Sequence, residues 1–236
     1  MEENGGFATL GYLNQNVFNI KDCRWNTKTP FASIRRIVQD GRFFFKIRPG
    51  LWALKSYKNR LPEHILPEKE IRKFHEHEDK FGHSYYQGLL VEIGNSKGFE
   101  THVPNQDRNK KFLSKTLGNV SSMKELYAFG YENFVKKAKT IDVSWFNERK
   151  MPSCLFEVEH STQIENSLLK FVEMQDFRTD FYIVAAGIRK NEFQSKMTLT
   201  AFKVIKERVS FIDYEGLATW HTSVLTSVNA ERSFRL

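Results

Sequence analysis

The chain's 236 residues are 40% hydrophobic, with 21 Phe and two widely separated cysteines (Cys23 and Cys154); this builds a sizeable core without disulfides and gives no cysteine-based metal spacing. Of the net charge of +8, residues 1–62 hold +7 (eleven Lys/Arg against four acids), the footprint of a polyanion partner, most simply nucleic acid. No apolar run approaches the ~18 residues of a membrane span, and M-E-E-N-G-G has no signal-peptide pattern, so a cytoplasmic protein without a membrane partner is expected.

In chain order, Gly5–Phe18 reads as a helix entered from a Gly-Gly turn, with Phe7, Leu10, Leu13 and Val17 at helical spacing. A loop over Asn19–Lys28 follows. Thr29 reads as an N-cap and Pro30 as the first position of a helix that stops near Gly41. Its expected buried stripe is Phe31, Ile34, Ile37 and Val38, which turns Ser33, Arg35, Arg36 and Gln39 outward. Two β-type runs, Phe43–Arg48 and Leu51–Lys55, turn at Pro49-Gly50. Helix, loop, helix and hairpin is the order of a winged helix-turn-helix. Tyr57–Lys80 is a charged connector. His64, His75, His77 and His83 lie near acids there, but His75 and His77 fall on different helix faces and no cysteine joins them. A solvated linker is preferred to a zinc site.

Gly82–Lys97 has the period of an amphipathic helix, burying Tyr86, Leu89, Leu90 and Ile93 with Glu92 beside them. Thr101–Lys111 is polar and holds Asp107, Arg108 and Lys110, and Ser121–Ala138 reads as another helix. Ile141–Phe146 and Cys154–Glu159 are β-type runs joined by the polar turn Asn147–Lys150, a hairpin signal. Alternation puts Ile141, Val143 and Trp145 on one face and Asp142 and Ser144 on the other, while Glu157 and Glu159 share a face. If both apolar faces meet one core, Asp142, Glu157 and Glu159 converge. Three adjacent carboxylates repel unless a cation sits between them. Ser161 or Thr162 can then cap a helix to about Gln175. Phe181–Ala186 reads as a buried strand, Phe193–Arg208 as a helix, Val209–Tyr214 as a strand and Tyr214–Trp220 as a short helix; the tail from Thr222 is polar and expected to be disordered.

Two stretches carry family resemblances. W-N-T-K-T-P-F-A-S-I-R-R-I-V-Q-D followed by F-F-F-K-I-R-P-G-L-W-A-L resembles the HARE-type winged helix-turn-helix, over about residues 1–56. The family places one more helix ahead of Gly5–Phe18, of which only Met1–Asn4 are present. The resemblance implies double-stranded DNA as partner, with Lys28, Ser33, Arg35, Arg36, Lys46 and Arg48 as contacts; basic residues at a helix start and in a wing suit phosphates and groove edges. The order of helix with Glu92, strand with Asp142, strand with F-E-V-E, helix and strand resembles the PD-(D/E)xK, restriction-endonuclease-like superfamily over about residues 83–217. I-D-V-S-W supplies Asp142, with Ile141 in place of the motif's Pro, and F-E-V-E supplies Glu157 and Glu159. Glu159 stands where Lys is usual. It becomes either a general base or a ligand for a second cation, and Lys170 in the next helix is an alternative source of positive charge. His160 reads as a rim residue.

The expected fold is therefore α/β: a winged helix-turn-helix (1–56), a charged linker (57–82), a nuclease-like domain with a central mixed sheet flanked by helices (83–221) and a polar tail (222–236). The resemblances imply a Mg2+-dependent DNA endonuclease of restriction or phage-defence type. Glu92, Asp142, Glu157 and Glu159 would be catalytic, and Asp142 and Glu157 would hold the metal. Cutting both strands needs two active sites or two nicks, so a homodimer is expected; a partner methyltransferase is not legible. The rivals are a DNA-binding regulator with an inactive nuclease-like domain, Glu159 being the relic, and a reader of modified bases.

Overall fold

The structure, a computed structural model, describes residues 1–20, 26–66 and 80–234, and their side chains except at 80–81 and 229–234. His75 and His77 lie outside the described residues. Among the described residues no helix is long and apolar enough to cross a membrane. The chain divides into two units, Met1–Glu78 with Ala218–Leu236, and Asp79–Leu217.

The first unit begins with β1 (Phe7–Thr9), α1 (Leu10–Asn16) and α2 (Pro30–Val38), followed by the hairpin β2 (Phe44–Arg48) and β3 (Leu51–Leu54). Its antiparallel sheet has the order β1-β3-β2. The helix expected over Gly5–Phe18 starts only at Leu10. Gly5 and Gly6, at φ 74° and 87°, turn the chain so that Phe7–Thr9 pairs with Leu51–Ala53. Thr9 then caps α1, accepting the Tyr12 N–H at 3.2 Å. Pro30 opens α2 as expected, but the Thr29 side chain makes no cap bond. Of the expected stripe, Ile34 and Val38 are buried, whereas Phe31 and Ile37 are exposed; Phe31 rests edge-on against Phe18.

The second unit holds α3 (Lys80–Ser96), β4 (Glu100–His102), the small hairpin β5 (Lys111–Phe112) and β6 (Lys115–Thr116), α4 (Leu117–Val120) and α5 (Glu132–Ala138). Then come β7 (Val143–Phe146), β8 (Pro152–Glu159), α6 (Ile164–Val172), β9 (Asp180–Ala185), α7 (Lys190–Lys196) and β10 (Val209–Asp213). A mixed five-stranded sheet in the order β10-β9-β8-β7-β4 is central. β4, β7 and β8 pair antiparallel; β8, β9 and β10 pair parallel, through crossovers that carry α6 and α7. α6 covers the face carrying Leu155, Phe181 and Ile183, burying Ile164, Leu168 and Phe171 there. α3 lies against the Trp145 face, where a Cβ on Gly94 would stand 2.6 Å from the indole Nε1. Both faces are therefore covered, and even Ser144 is buried.

Three helix expectations change. Ser121–Tyr131 is not helical, because tertiary bonds claim its polar groups. Arg108 donates to the Met123 and Lys124 carbonyls, Met123 N–H pairs with the Thr101 carbonyl, and Tyr127 donates to Glu100. The helix expected to reach Arg208 ends at Lys196 and is followed by 3-10 turns over Thr200–Arg208; the Arg208 guanidinium donates to the Gln175 and Phe177 carbonyls. The expected polar tail is helical too: α8 runs from Tyr214 to Phe234. From Ala218 on, α8 belongs to the first unit, where Asn14 donates to Thr226 at 3.0 Å and Gln15 to the Leu225 carbonyl at 3.1 Å. Thr222 and Thr226 bond back to the carbonyls of Ala218 and Thr222, so a polar-looking stretch satisfies itself within the helix.

Candidate active site

The β7–β8 hairpin forms as the alternation predicts. Its turn is held by Asn147, whose Oδ1 accepts the N–H groups of Arg149 and Met151 at 3.0 and 3.2 Å. The register pairs Val143 with Phe156 and Ser144 with Leu155. Extended by one residue, it sets Asp142 opposite Glu157 on one face. Asp142 stands at the entrance to β7, and its Oδ2 accepts the Val158 N–H at 2.8 Å. Glu157 and Glu159 are both buried, at 2% and 4% exposure.

α6 supplies the partners. Ser167 and Lys170, three residues apart, share a helix face. The Ser167 hydroxyl donates to Glu157 at 3.1 Å and also to Glu159, so it ties the two glutamates together. Lys170 Nζ lies 2.9 and 2.8 Å from the two Glu157 oxygens and 3.0 Å from the Thr140 carbonyl. The following helix thus sets a positive charge directly against Glu157. Thr162, read from the sequence as a helix cap, instead gives its hydroxyl to Glu159, and Gln163 takes the cap position without a side-chain bond.

α3 contributes residues that the sequence reading set aside. His83, grouped there with the linker histidines, sits in the first turns of α3 with Nε2 3.4 Å from Asp142 Oδ2. Gln87, one turn on, donates to Asp107 Oδ2 at 2.7 Å and to the Asp142 carbonyl at 3.3 Å. Asp107 is buried and pairs with Lys110 at 2.6 Å. His83, Asp107 and Asp142 each offer a ligand atom within 4.8 Å of the others. Glu92, expected as the helix acid, is nine residues beyond His83, about 13.5 Å of helix rise, and does not join them. Behind the glutamates, Tyr214 bonds His160 Nδ1 at 2.8 Å, donates to the Glu159 carbonyl at 3.2 Å and stacks on Tyr86 with centroids 3.8 Å apart.

The electrostatics separate the two facing carboxyls. Burial alone would raise Asp142, but the hydrogen bond and charge of His83, the Val158 N–H and Lys170 outweigh it and hold the carboxyl below its ordinary value. Burial and then the Asp142 charge push Glu157 well up, against the pull of Lys170 and Ser167. Burial would lower His83; Asp142 outweighs it and raises the imidazole. Lys170 is likewise raised despite burial, chiefly by Glu157. The two facing carboxyls therefore carry opposite biases, Asp142 toward its charged form and Glu157 toward its neutral one.

In the first unit Lys28, Arg35, Arg36 and Lys46 are exposed and Ser33 is half-buried, its hydroxyl donating to the Thr29 carbonyl at 3.3 Å. Arg48 does not join them. It is only 4% exposed and donates to the His64 carbonyl at 3.5 Å. The cause is a register shift between Lys46 and Arg48, which breaks the alternation and turns Arg48 inward.

Comparison with known proteins finds a matching family. The description "Type II restriction enzyme NmeDI C-terminal domain" fits residues 61–231, well over half of the chain. The type II restriction enzyme NmeDI of Neisseria meningitidis serogroup C is 24% identical over 131 residues, which cover 51% of this chain and 37% of that enzyme. No solved structure matches. The match takes in Asp142, Glu157, Glu159 and Lys170, and the chain belongs to the NmeDI C-terminal domain family of type II restriction enzymes.

Proposed function

We propose that the protein is a Mg2+-dependent DNA endonuclease of the type II restriction kind, with its catalytic groups on the Asp79–Leu217 unit. The observation that carries this reading is the meeting of Asp142 and Glu157 across β7 and β8 with Lys170 on both Glu157 oxygens. The donor set fits a hard divalent cation: Mg2+ is commonly held through one or two carboxylates, and two buried acids side by side gain from one. Asp142 and Glu157 would hold it; when bound it supplies Lewis-acid polarisation of the phosphate and stabilises negative charge.

The chain's own groups do the rest. Glu159, oriented by the Ser167 and Thr162 hydroxyls, would accept the proton of an attacking water. Lys170 keeps a positive charge beside the carboxylates, where it offsets charge developing on the phosphate. The first unit, read as a HARE-type winged helix-turn-helix, brings DNA through Lys28, Ser33, Arg35, Arg36 and Lys46. Two strand cuts call for two such sites, so a homodimer is the working form.

Of the two rival readings, the inactive regulator rests on Glu159 as a relic of a lost lysine, and the modified-base reader on the HARE-type resemblance of the first unit. Lys170 speaks against the relic, since α6 sets a positive charge beside Glu157. The test is cleavage of plasmid and phage DNA of several modification states, with and without Mg2+. Cleavage by the natural protein and none by Asp142→Ala is the expected result. DNA binding without cleavage under every condition would favour the rivals.

A further inference from the structure

His83, Asp107 and Gln87 remain once the roles of Asp142, Glu157 and Lys170 are set out. The first two and Asp142 come from three separate places, α3, the loop after β4 and the entrance to β7, so the fold and not the local sequence brings them together. Their ligand atoms lie within 4.8 Å of one another, a separation that one ion can bridge with small side-chain movements. Asp107 is 2% exposed. Lys110 occupies its Oδ1, and its Oδ2 faces the Gln87 amide.

Gln87 is the second, independent sign. It is fully buried, and its Oε1 has no hydrogen-bond partner among the described residues. A buried amide oxygen without a donor is rare and needs a reason. The two ends of the amide exchange by a half-turn. Turned, the oxygen faces the space between Asp107 and Asp142, where its nitrogen now makes both contacts. A cation there would satisfy it.

We propose that His83, Asp107 and Asp142, with the Gln87 amide beside them, form a second divalent-cation site that shares Asp142 with the Asp142–Glu157 pair and selects a first-row transition ion over Mg2+. The selectivity follows from the imidazole. Mg2+ prefers oxygen ligands and keeps its waters, whereas imidazole nitrogen suits the transition ions. The site deepens the nuclease reading through the shared Asp142, but it is read by metal binding rather than cleavage, so the two can fail separately.

The probe is Mn2+ at one equivalent on the full chain, followed by pulsed EPR for nitrogen coupling to the bound ion. Coupling to one imidazole is expected in the natural protein and in Glu157→Gln, surviving an excess of Mg2+ and vanishing in His83→Gln. Gln87→Leu should weaken Mn2+ binding by about 10–100-fold, the usual cost of losing an orienting partner. Circular dichroism checks that His83→Gln is folded; should it unfold, Asp107→Asn, which keeps the imidazole, should weaken Mn2+ binding, and Mn2+ affinity unchanged in it would overturn the assignment. Bound Mn2+ without nitrogen coupling, coupling that survives His83→Gln, or no bound Mn2+ would each overturn the assignment. DNA cleavage bears only on the nuclease reading.

Discussion

Lys170→Met keeps the aliphatic stem and removes one charge from the centre of the site. The Glu157 side chain is 3% exposed, and Nζ reaches both of its oxygens within 2.9 Å. Removing one partner of a buried ion pair costs about 3–5 kcal/mol, because the other charge is left uncompensated. Lys170 is itself 28% exposed and Ser167 still donates to Glu157, so the lower end, about 3 kcal/mol, is expected in mildly alkaline buffer. The loss must depend on pH. Burial and the Asp142 charge hold the Glu157 carboxyl well above its ordinary 4.5. Below that value the carboxyl is protonated in folded and unfolded chains alike, and the deficit is small. As pH rises, the unfolded chain ionises freely while the variant's buried carboxyl cannot, and the deficit grows. Urea unfolding of the natural protein, Lys170→Met, Glu157→Gln and the double variant across this range measures it. The double variant should recover most of the stability and none of the DNA cleavage. A deficit flat in pH, or a coupling between the two positions under ~0.5 kcal/mol, would show that the pair does not act as described.

Replacing Arg35 and Arg36 together should weaken DNA binding and reduce the slope of log affinity against log salt by about 2; affinity unchanged at several salt concentrations would take α2 off the DNA. Glu159→Gln should lower the cleavage rate by about 10²–10⁴-fold with DNA binding retained. Glu159→Lys should fail as well, since it sets a second cation beside Lys170; cleavage gained by that variant over an inactive natural protein would mark a decayed nuclease. Burial, helped by the charges of Arg108 and Lys139, holds the His102 imidazole down at about 4 against 6.5. Its contribution to stability is full above 6.5 and is lost as pH falls through 4, roughly 3 kcal/mol in all. His102→Gln should flatten that part of the unfolding curve, and an unchanged acid limb would count against it.

Much of the second unit was legible because its signals are local. The alternation in Ile141–Phe146 and Cys154–Glu159 needs only a pleat, and it put Asp142 and Glu157 on one face before any contact was known. The stripe of Ile164, Leu168 and Phe171 needs only a helix, and Lys170 follows from its place on that helix. What escaped is what the fold assembles over distance. His83 looked like one more connector histidine, and Asp107 like a loop charge. They meet Asp142 only because α3 and the loop after β4 pack where β7 begins. Glu92, on the same helix as His83, stands about 13.5 Å of rise further along and outside that group. In the first unit Arg48 was misread because a register shift, invisible in composition, reversed the alternation. Phe7–Thr9 was misread because β3, its pairing partner, lies more than forty residues on.

The discontinuity of the first unit has a consequence for how the protein comes into being. α1 leaves the ribosome ahead of the residues that Asn14 and Gln15 grip, which follow about 210 positions later. At ~5–20 residues per second that is a wait of roughly 10–40 s. Within it the whole of Asp79–Leu217 is translated, and its sheet, made from contiguous chain, can close. The basic unit receives its last helix only afterwards. The order of translation therefore makes the first unit the last part to mature, after the chain that carries the carboxylate cluster of Asp79–Leu217 has been made.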